Sequence, residues 1–199
     1  VKIVVIGASG DIGRTVCKEL SKRHEVIRVC RSSGDYQTDM TDMTSLEKLF
    51  NAIGEVDAIV VTAGSVKFAK LQEISQAEFM YALSDKVMGQ VNVVLAGMSY
   101  VRDGGSFTLT NGLLDQHPVP NGVGAATANA ALSGFATAAA IEMPRNIRLN
   151  VVSPGLMDIS YERYGKTLKG HEPVSSKIVA AAYAKSVEGS ASGQRIIGE

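Results

Sequence analysis

The sequence predicts a doubly wound α/β fold of Rossmann type, a parallel sheet of about seven strands with helices on both faces. Three observations carry this. Short strand-like runs rich in β-branched residues recur at 1–6, 25–30, 56–61, 106–110 and 147–152. Stretches with helical periodicity separate them, so strands and helices alternate throughout. The first run ends in three evenly spaced glycines and a helical pattern starts at once, with Ile12, Val16 and Leu20 on one stripe.

That opening stretch organises the rest. Val1 to Ile6 reads as a buried parallel strand. Gly7-Ala8-Ser9-Gly10-Asp11-Ile12-Gly13 reads as a tight turn into a helix N-terminus. Such a turn aims backbone N–H groups and the positive end of a helix dipole at one spot, where a pyrophosphate fits. The spacing is Gly-x-x-Gly-x-x-Gly, and the alternative is a strand-to-helix turn with no ligand. Asp11, an acid beside a phosphate site, is read as an N-cap or first-turn residue turned to solvent.

Composition sets outer bounds. With 199 residues, 45% of them hydrophobic, the chain is read as one domain, 1–199. Twenty basic and twenty acidic residues cancel, which leaves no electrostatic case for nucleic acid or an anionic membrane surface. No apolar run approaches the roughly 18 residues of a membrane span. The chain starts in a core strand with no leader in view. Cys17 and Cys30 form neither a disulfide framework nor a metal-ligand spacing, so they are read as buried thiols of a cytoplasmic protein.

The second strand, 25–30, runs into Arg31-Ser32-Ser33-Gly34-Asp35. In a dinucleotide fold this point meets the adenosine ribose, where an acid suits NAD and a base suits the 2′-phosphate of NADP. Arg31 with Ser32 and Ser33 favours NADP(H) over NAD(H); the alternative is a solvated basic loop. The path to a short strand at 36–38 is too brief for a crossover helix, so one helix is missing. Thr41 or Asp42 caps a helix at 44–53 with Leu46, Leu49, Phe50 and Ile53 on its apolar face. The strand 56–61 ends in Thr62-Ala63-Gly64, small residues at a carboxyl end where open sheets bind ligands.

A long helix is expected over 75–101. At 100° per residue Phe79, Leu83, Val87, Val93 and Val94 share a face, and Lys86 falls inside it with Gln90 one turn on. Lys86 either snorkels out along its methylenes or enters a polar pocket. Gly104-Gly105 turns into a strand, 106–110, ending at Asn111-Gly112. His117 in the following loop is an acid–base candidate or an exposed histidine. An alanine-rich helix follows at 123–143, then a strand at 147–152 ending Ser153-Pro154-Gly155-Leu156-Met157. Tyr161 and Tyr164 lie on a loop or short helix. A helix at 174–187 and a strand at 194–197 complete the pattern.

Together these stations resemble the short-chain dehydrogenase/reductase family over nearly the whole chain. The carrying pieces are the glycine stretch 7–13, Asp39-Met40, Thr62-Ala63-Gly64, Lys86-Val87-Met88-Gly89, and Arg148-Leu149-Asn150-Val151-Val152-Ser153-Pro154-Gly155. The resemblance implies that Gly7, Ser9, Gly10, Asp11, Ile12 and Gly13 meet the pyrophosphate, and that Asp39 and Met40 flank the adenine. It implies that Ala63 and Gly64 line a ribose, and that Pro154, Gly155, Leu156 and Met157 hold the carboxamide. It also implies a homodimer or homotetramer through helices 75–101 and 123–143.

The family's catalysis rests on Ser, Tyr and Lys, with Tyr-x-x-x-Lys on the alanine-rich helix. Matching Ala130 to Phe135 with the family's pattern puts Ala125 at the tyrosine and Asn129 at the lysine, with Asn111 near the serine. The family's asparagine on the preceding helix is Lys86 here. Lysine and asparagine are thus exchanged, and Lys86, Asn111 and Asn129 are the catalytic candidates, with Lys86 also expected to hold the nicotinamide ribose. The implied function is an NADP(H)-linked oxidoreductase of a small carbonyl or alcohol with a non-standard site. The alternatives are an NADP(H)-binding sensor without catalysis and a structural dimer with a relic pocket.

Overall fold

The computed structural model describes residues 1–199. Seven strands form one sheet in the order β3-β2-β1-β4-β5-β6-β7, and every pairing is parallel. They are β1 (Lys2–Ile6), β2 (Glu25–Cys30), β3 (Tyr36–Gln37), β4 (Val56–Val61), β5 (Val101–Thr110), β6 (Arg148–Pro154) and β7 (Arg195–Gly198). The helices are α1 (Asp11–Leu20), α2 (Met43–Ile53), α3 (Gln76–Ala82), α4 (Gly89–Gly97), α5 (Val123–Ala140), α6 (Tyr161–Tyr164) and α7 (Ser176–Glu188).

The period-2 alternation of strands divides the core between two faces. On β1, Val4 and Ile6 pack with α2, α4 and α5, while Ile3 and Val5 pack with α1 and α7. On β4, Val56, Ile59 and Val61 join the first face, and Ala58 and Val60 the second. The α7 side of β5 is polar instead. Thr108 pairs with Ser186 at 2.7 Å and Thr110 with the Tyr183 hydroxyl at 2.6 Å, which satisfies buried oxygens that apolar neighbours would strand.

The missing crossover helix is real: residues 31–35 carry no helix between β2 and β3. Its absence leaves Arg28, Tyr36 and Gln37 exposed on that edge. Asp42 caps α2 by accepting from the Thr44 amide at 2.9 Å, as one of the two expected caps.

The long helix over 75–101 is corrected. It starts at a capping box built by Ser75 and Glu78, widens into a π-helical turn over Leu83–Met88, resumes as α4 and stops at Gly97. Strand β5 then begins at Val101, five residues earlier than 106, and takes in Gly104 and Gly105. The register of β4 on β5 shifts between Val56 and Ala58 there, and Gly104 at φ +73° absorbs the irregularity. Helix α5 likewise stops at Ala140 rather than 143.

Candidate active site

Strand order reverses at β1, whose neighbours are β2 and β4. The carboxyl ends of β1 and β4 therefore meet at the switch point of the sheet, where α/β folds open a ligand crevice. The two turns touch. Gly7 has φ +88°, and a Cβ there would lie 2.8 Å from the Ala63 nitrogen and 2.9 Å from the Ala63 Cβ. Gly13 packs against the Gly7 carbonyl so closely that a Cβ would overlap it at 2.1 Å. Gly10 is different: its nearest atom is the Gly7 oxygen at 3.5 Å, so the loop stays open on the side that faces the crevice. This is a backbone cradle at the N-terminus of α1, and it fits a diphosphate.

The crevice has two parts. A cleft of about 680 Å³ is lined by Gly10, Asp11, Ile12, Gly64, Lys86, Asn111, Ala125, Asn129 and Pro154 to Met157, among others. A recess of about 290 Å³ adjoins it at the glycine loop, with Gly7, Ser9, Arg31, Met40, Ala63 and Asp85 on its walls. Most residues expected at a dinucleotide site are thus brought together. Gly13, Ser32, Ser33 and Asp39 lie outside both hollows. Ser32 and Ser33 are exposed, and Asp39 spends its carboxylate on the Thr41 amide at 2.9 Å and hydroxyl at 2.7 Å. Arg31 is exposed, and its guanidinium approaches the Asp85 carboxylate at 3.6 Å, too far for a tight hydrogen bond.

Asp11 is neither a cap nor turned to solvent. Gly10 holds the N-cap position, and Asp11 is the first residue of α1. Its carboxylate accepts from Arg14, from the Ser160 hydroxyl at 2.9 Å and from Arg163 at 3.2 Å. The segment around α6 is thereby stitched to the glycine loop. Arg163 and Tyr164 line the cleft, as does His171, whereas Tyr161 is exposed away from it. His117 is exposed and lines a shallower hollow beside His171.

At the closed end of the cleft, Lys86 projects from the π-helical turn. Its ammonium donates to the Asn111 carbonyl at 2.8 Å and to Asn129 Oδ1 at 2.7 Å. So the polar pocket, and not the snorkelling path, is the one taken. A π turn places an extra residue in the helix and commonly marks a functional site. Gly64, at φ +136°, makes the approach possible, because a Cβ would meet the Lys86 Cγ at 2.7 Å. One turn on, Gln90 clasps the end of β5, donating to the Thr110 carbonyl at 2.7 Å and accepting from its amide at 2.8 Å. Burial pushes the Lys86 ammonium down to about 8, with the Asp115 carboxylate opposing the shift.

Asn111 offers Lys86 its carbonyl; its side chain turns away from the cleft. Asn111 Nδ2 donates to Ser133 Oγ at 2.8 Å, and Oδ1 accepts from Ser153 Oγ at 2.6 Å. Ser153 in turn accepts from Arg195 Nε at 2.7 Å. Arg195 closes the network on both Asp115 oxygens, at 2.6 and 2.9 Å, and on the Gly112 carbonyl at 2.8 Å. Asp85, Asp115, Ser160, Arg163 and Arg195 were not among the candidates from sequence. Asp85 adjoins Lys86 in the same turn, which is the one signal that pointed to any of them.

A glycine-cradled crevice at the switch point of a seven-stranded parallel sheet defines an α/β protein of the doubly wound, Rossmann-like class. Residues 2–190 match the family model described as Enoyl-(Acyl carrier protein) reductase. The chain belongs to the short-chain dehydrogenase/reductase family. It is similar to an uncharacterized oxidoreductase of Methylorubrum extorquens, 25% identical over 176 residues, which is 76% of this chain and 71% of that protein. Among solved structures, the protein lin1944 from Listeria innocua is 42% identical with a TM-score of 0.96, over 98% of both chains. A small-chain dehydrogenase in complex with NADPH is 30% identical with a TM-score of 0.86, over 98% of this chain and 95% of that one. No helix is long and apolar enough to cross a membrane.

Proposed function

We propose that the protein is an NADP(H)-dependent oxidoreductase of a small carbonyl compound or alcohol, working with an exchanged lysine and asparagine. The observation that carries this is the meeting of Lys86 and Asn129 at the closed end of the cleft, 2.7 Å apart. A lysine from one helix and an amide from the other reach one polar spot, so the exchange inferred from sequence keeps the same pair of groups in one place. The glycine cradle holds the diphosphate, Arg31 the 2′-phosphate, and Lys86 with Asn129 the nicotinamide ribose. The cofactor supplies the hydride chemistry when bound. The chain orients it, excludes water with the α6 segment, and provides the proton. The similarity to a dehydrogenase solved with NADPH supports the choice of cofactor.

One observation favours a second reading, a cofactor-binding sensor without turnover. Ala125, one turn before Asn129, carries no proton to give. Fluorescence titration with NADPH and NADH tests the binding part. NADPH binds at least tenfold tighter than NADH, and Arg31→Ala removes most of that preference; equal affinities rule out the Arg31 assignment. Turnover of a carbonyl panel separates enzyme from sensor. We also assign the face of α4 that bears exposed Leu95, and the C-terminal end of α5 capped by exposed Ile141, to a homodimer contact, tested by sedimentation.

A further inference from the structure

An oxidoreductase of this class must add a proton as well as a hydride, and Ala125 leaves the expected donor's position empty of any acid. The groups around the closed end of the cleft narrow the search. Helix α5 carries no titratable side chain at all, and Asn129 is its only polar group against Lys86. The turn after β4 presents Gly64 and Ser65. Beyond β5, Asp115 is locked in both oxygens by Arg195. Asp85, next to Lys86, turns the other way and accepts from the Ser65 amide at 2.6 Å, beside Arg31. Across the cleft stand Arg163 and Tyr164 of α6, and His171 beyond it.

Lys86 is the group with a proton to spare. An ammonium has three N–H donors. Two are taken, by the Asn111 carbonyl and Asn129 Oδ1, and the group lines the cleft. Ala125 and Asn129 lie four residues apart on α5, hence one above the other on the same face. Lys86, Ala125 and Asn129 all line the cleft, so the place a larger side chain at 125 would take lies on the lysine's side of it.

Resting on the reading of the preceding subsection, we propose that Lys86 is the catalytic proton donor, its third N–H directed at the substrate oxygen that enters the space beside Ala125. In the step, the carbonyl carbon accepts a hydride from a reduced nicotinamide dinucleotide. A C–H bond forms, the C=O π pair moves to oxygen, and that oxygen takes the Lys86 proton. An alcohol, an oxidised nicotinamide and a neutral Lys86 amine result, and a solvent proton restores the ammonium. The lowered proton affinity of Lys86 suits the role, since a donor works best near the operating pH.

The test uses the whole protein with NADPH and 4-nitrobenzaldehyde as an activated carbonyl probe, together with an NMR titration of the lysine ε-carbons in the protein without cofactor. The Lys86 resonance titrates near 8, and kcat for reduction falls tenfold per pH unit above that midpoint, while oxidation of 4-nitrobenzyl alcohol rises through it. Lys86→Arg keeps the charge but holds its proton too firmly, so kcat falls about 10²–10⁴-fold with NADPH affinity changed far less. A kcat that is flat between pH 7 and 9.5, a Lys86 midpoint near that of a free lysine, or an arginine variant retaining a third of kcat overturns the proposal. NADPH binding without turnover of the probe at any pH also overturns it and leaves the sensor reading. Failure to bind NADPH overturns the cofactor reading itself. The wild-type pH profile and titration stand whether or not the variant folds.

Discussion

Lys86 and Asn129 are joined across two helices by one hydrogen bond of 2.7 Å, a cation on one side and a neutral amide on the other. Two asparagines would leave the site without a cation. Two lysines would set like charges in contact, a repulsion of about 4 kcal/mol at 4 Å with an effective dielectric near 20.

The exchange is therefore testable as a pair. Asn129→Lys alone lowers stability by about 2–4 kcal/mol, once side-chain relaxation has eased the repulsion. Lys86→Asn combined with Asn129→Lys returns to within about 1 kcal/mol of the parent and recovers NADPH affinity. Urea unfolding and NADPH titration read both effects. A double variant no better than Asn129→Lys would show that the two positions do not act as a unit.

Gly64 controls whether Lys86 can reach the cleft. Alanine there meets the Lys86 Cγ at 2.7 Å and its Cα and Cβ at 3.1 Å, at φ +136°. The backbone strain and the displaced lysine together cost about 2–3 kcal/mol and at least tenfold in NADPH affinity. Gly54→Ala is the control. Its φ is +73° and ψ −156°, a region essentially reserved for glycine, with nothing within 4 Å, so alanine costs about 1–3 kcal/mol of backbone strain and leaves the titration unchanged. Equal affinities for the two variants would remove Gly64 from the site.

Arg195 and Asp115 form the partly buried ion pair that props the loop after β5, with side chains 17% and 11% exposed. Arg195→Leu strands the Asp115 carboxylate and the Gly112 carbonyl, and lowers stability by about 3–5 kcal/mol. Arg195→Leu with Asp115→Leu restores most of it, because no charge is then left unpaired. Urea midpoints decide: a single variant within about 1 kcal/mol of the parent would mean the pair contributes nothing.

The sheet was legible because its evidence is periodic and redundant. Ile3 to Ile6 could only be a strand buried on both faces, and the short span between Cys30 and Tyr36 could not hold a helix. The helix over 75–101 was read as uniform because the 100° rule assumes 3.6 residues per turn, and the π turn at Leu83–Met88 is a change of pitch that the rule cannot register. Lys86 was found all the same, since a lysine on an apolar face is conspicuous. Arg195 and Asp115 were not, because they are 80 residues apart and each looks like an ordinary surface charge until the fold brings them together. Asp11 does sit in the first turn of α1, but its inward pairing was hidden for the same reason: its partners Ser160 and Arg163 lie in a segment with no local signal.

The bonds from Asp11 to Ser160 and Arg163 span 149 and 152 residues, and α7, made later still, packs on α1. A ribosome releases the glycine loop 149 residues ahead of Ser160 and 152 ahead of Arg163, which close it. During synthesis β1 and α1 thus wait, with one flank bare, until the α6 segment and α7 have emerged. A nascent chain halted before residue 160 therefore has the glycine loop but not the residues that wall it.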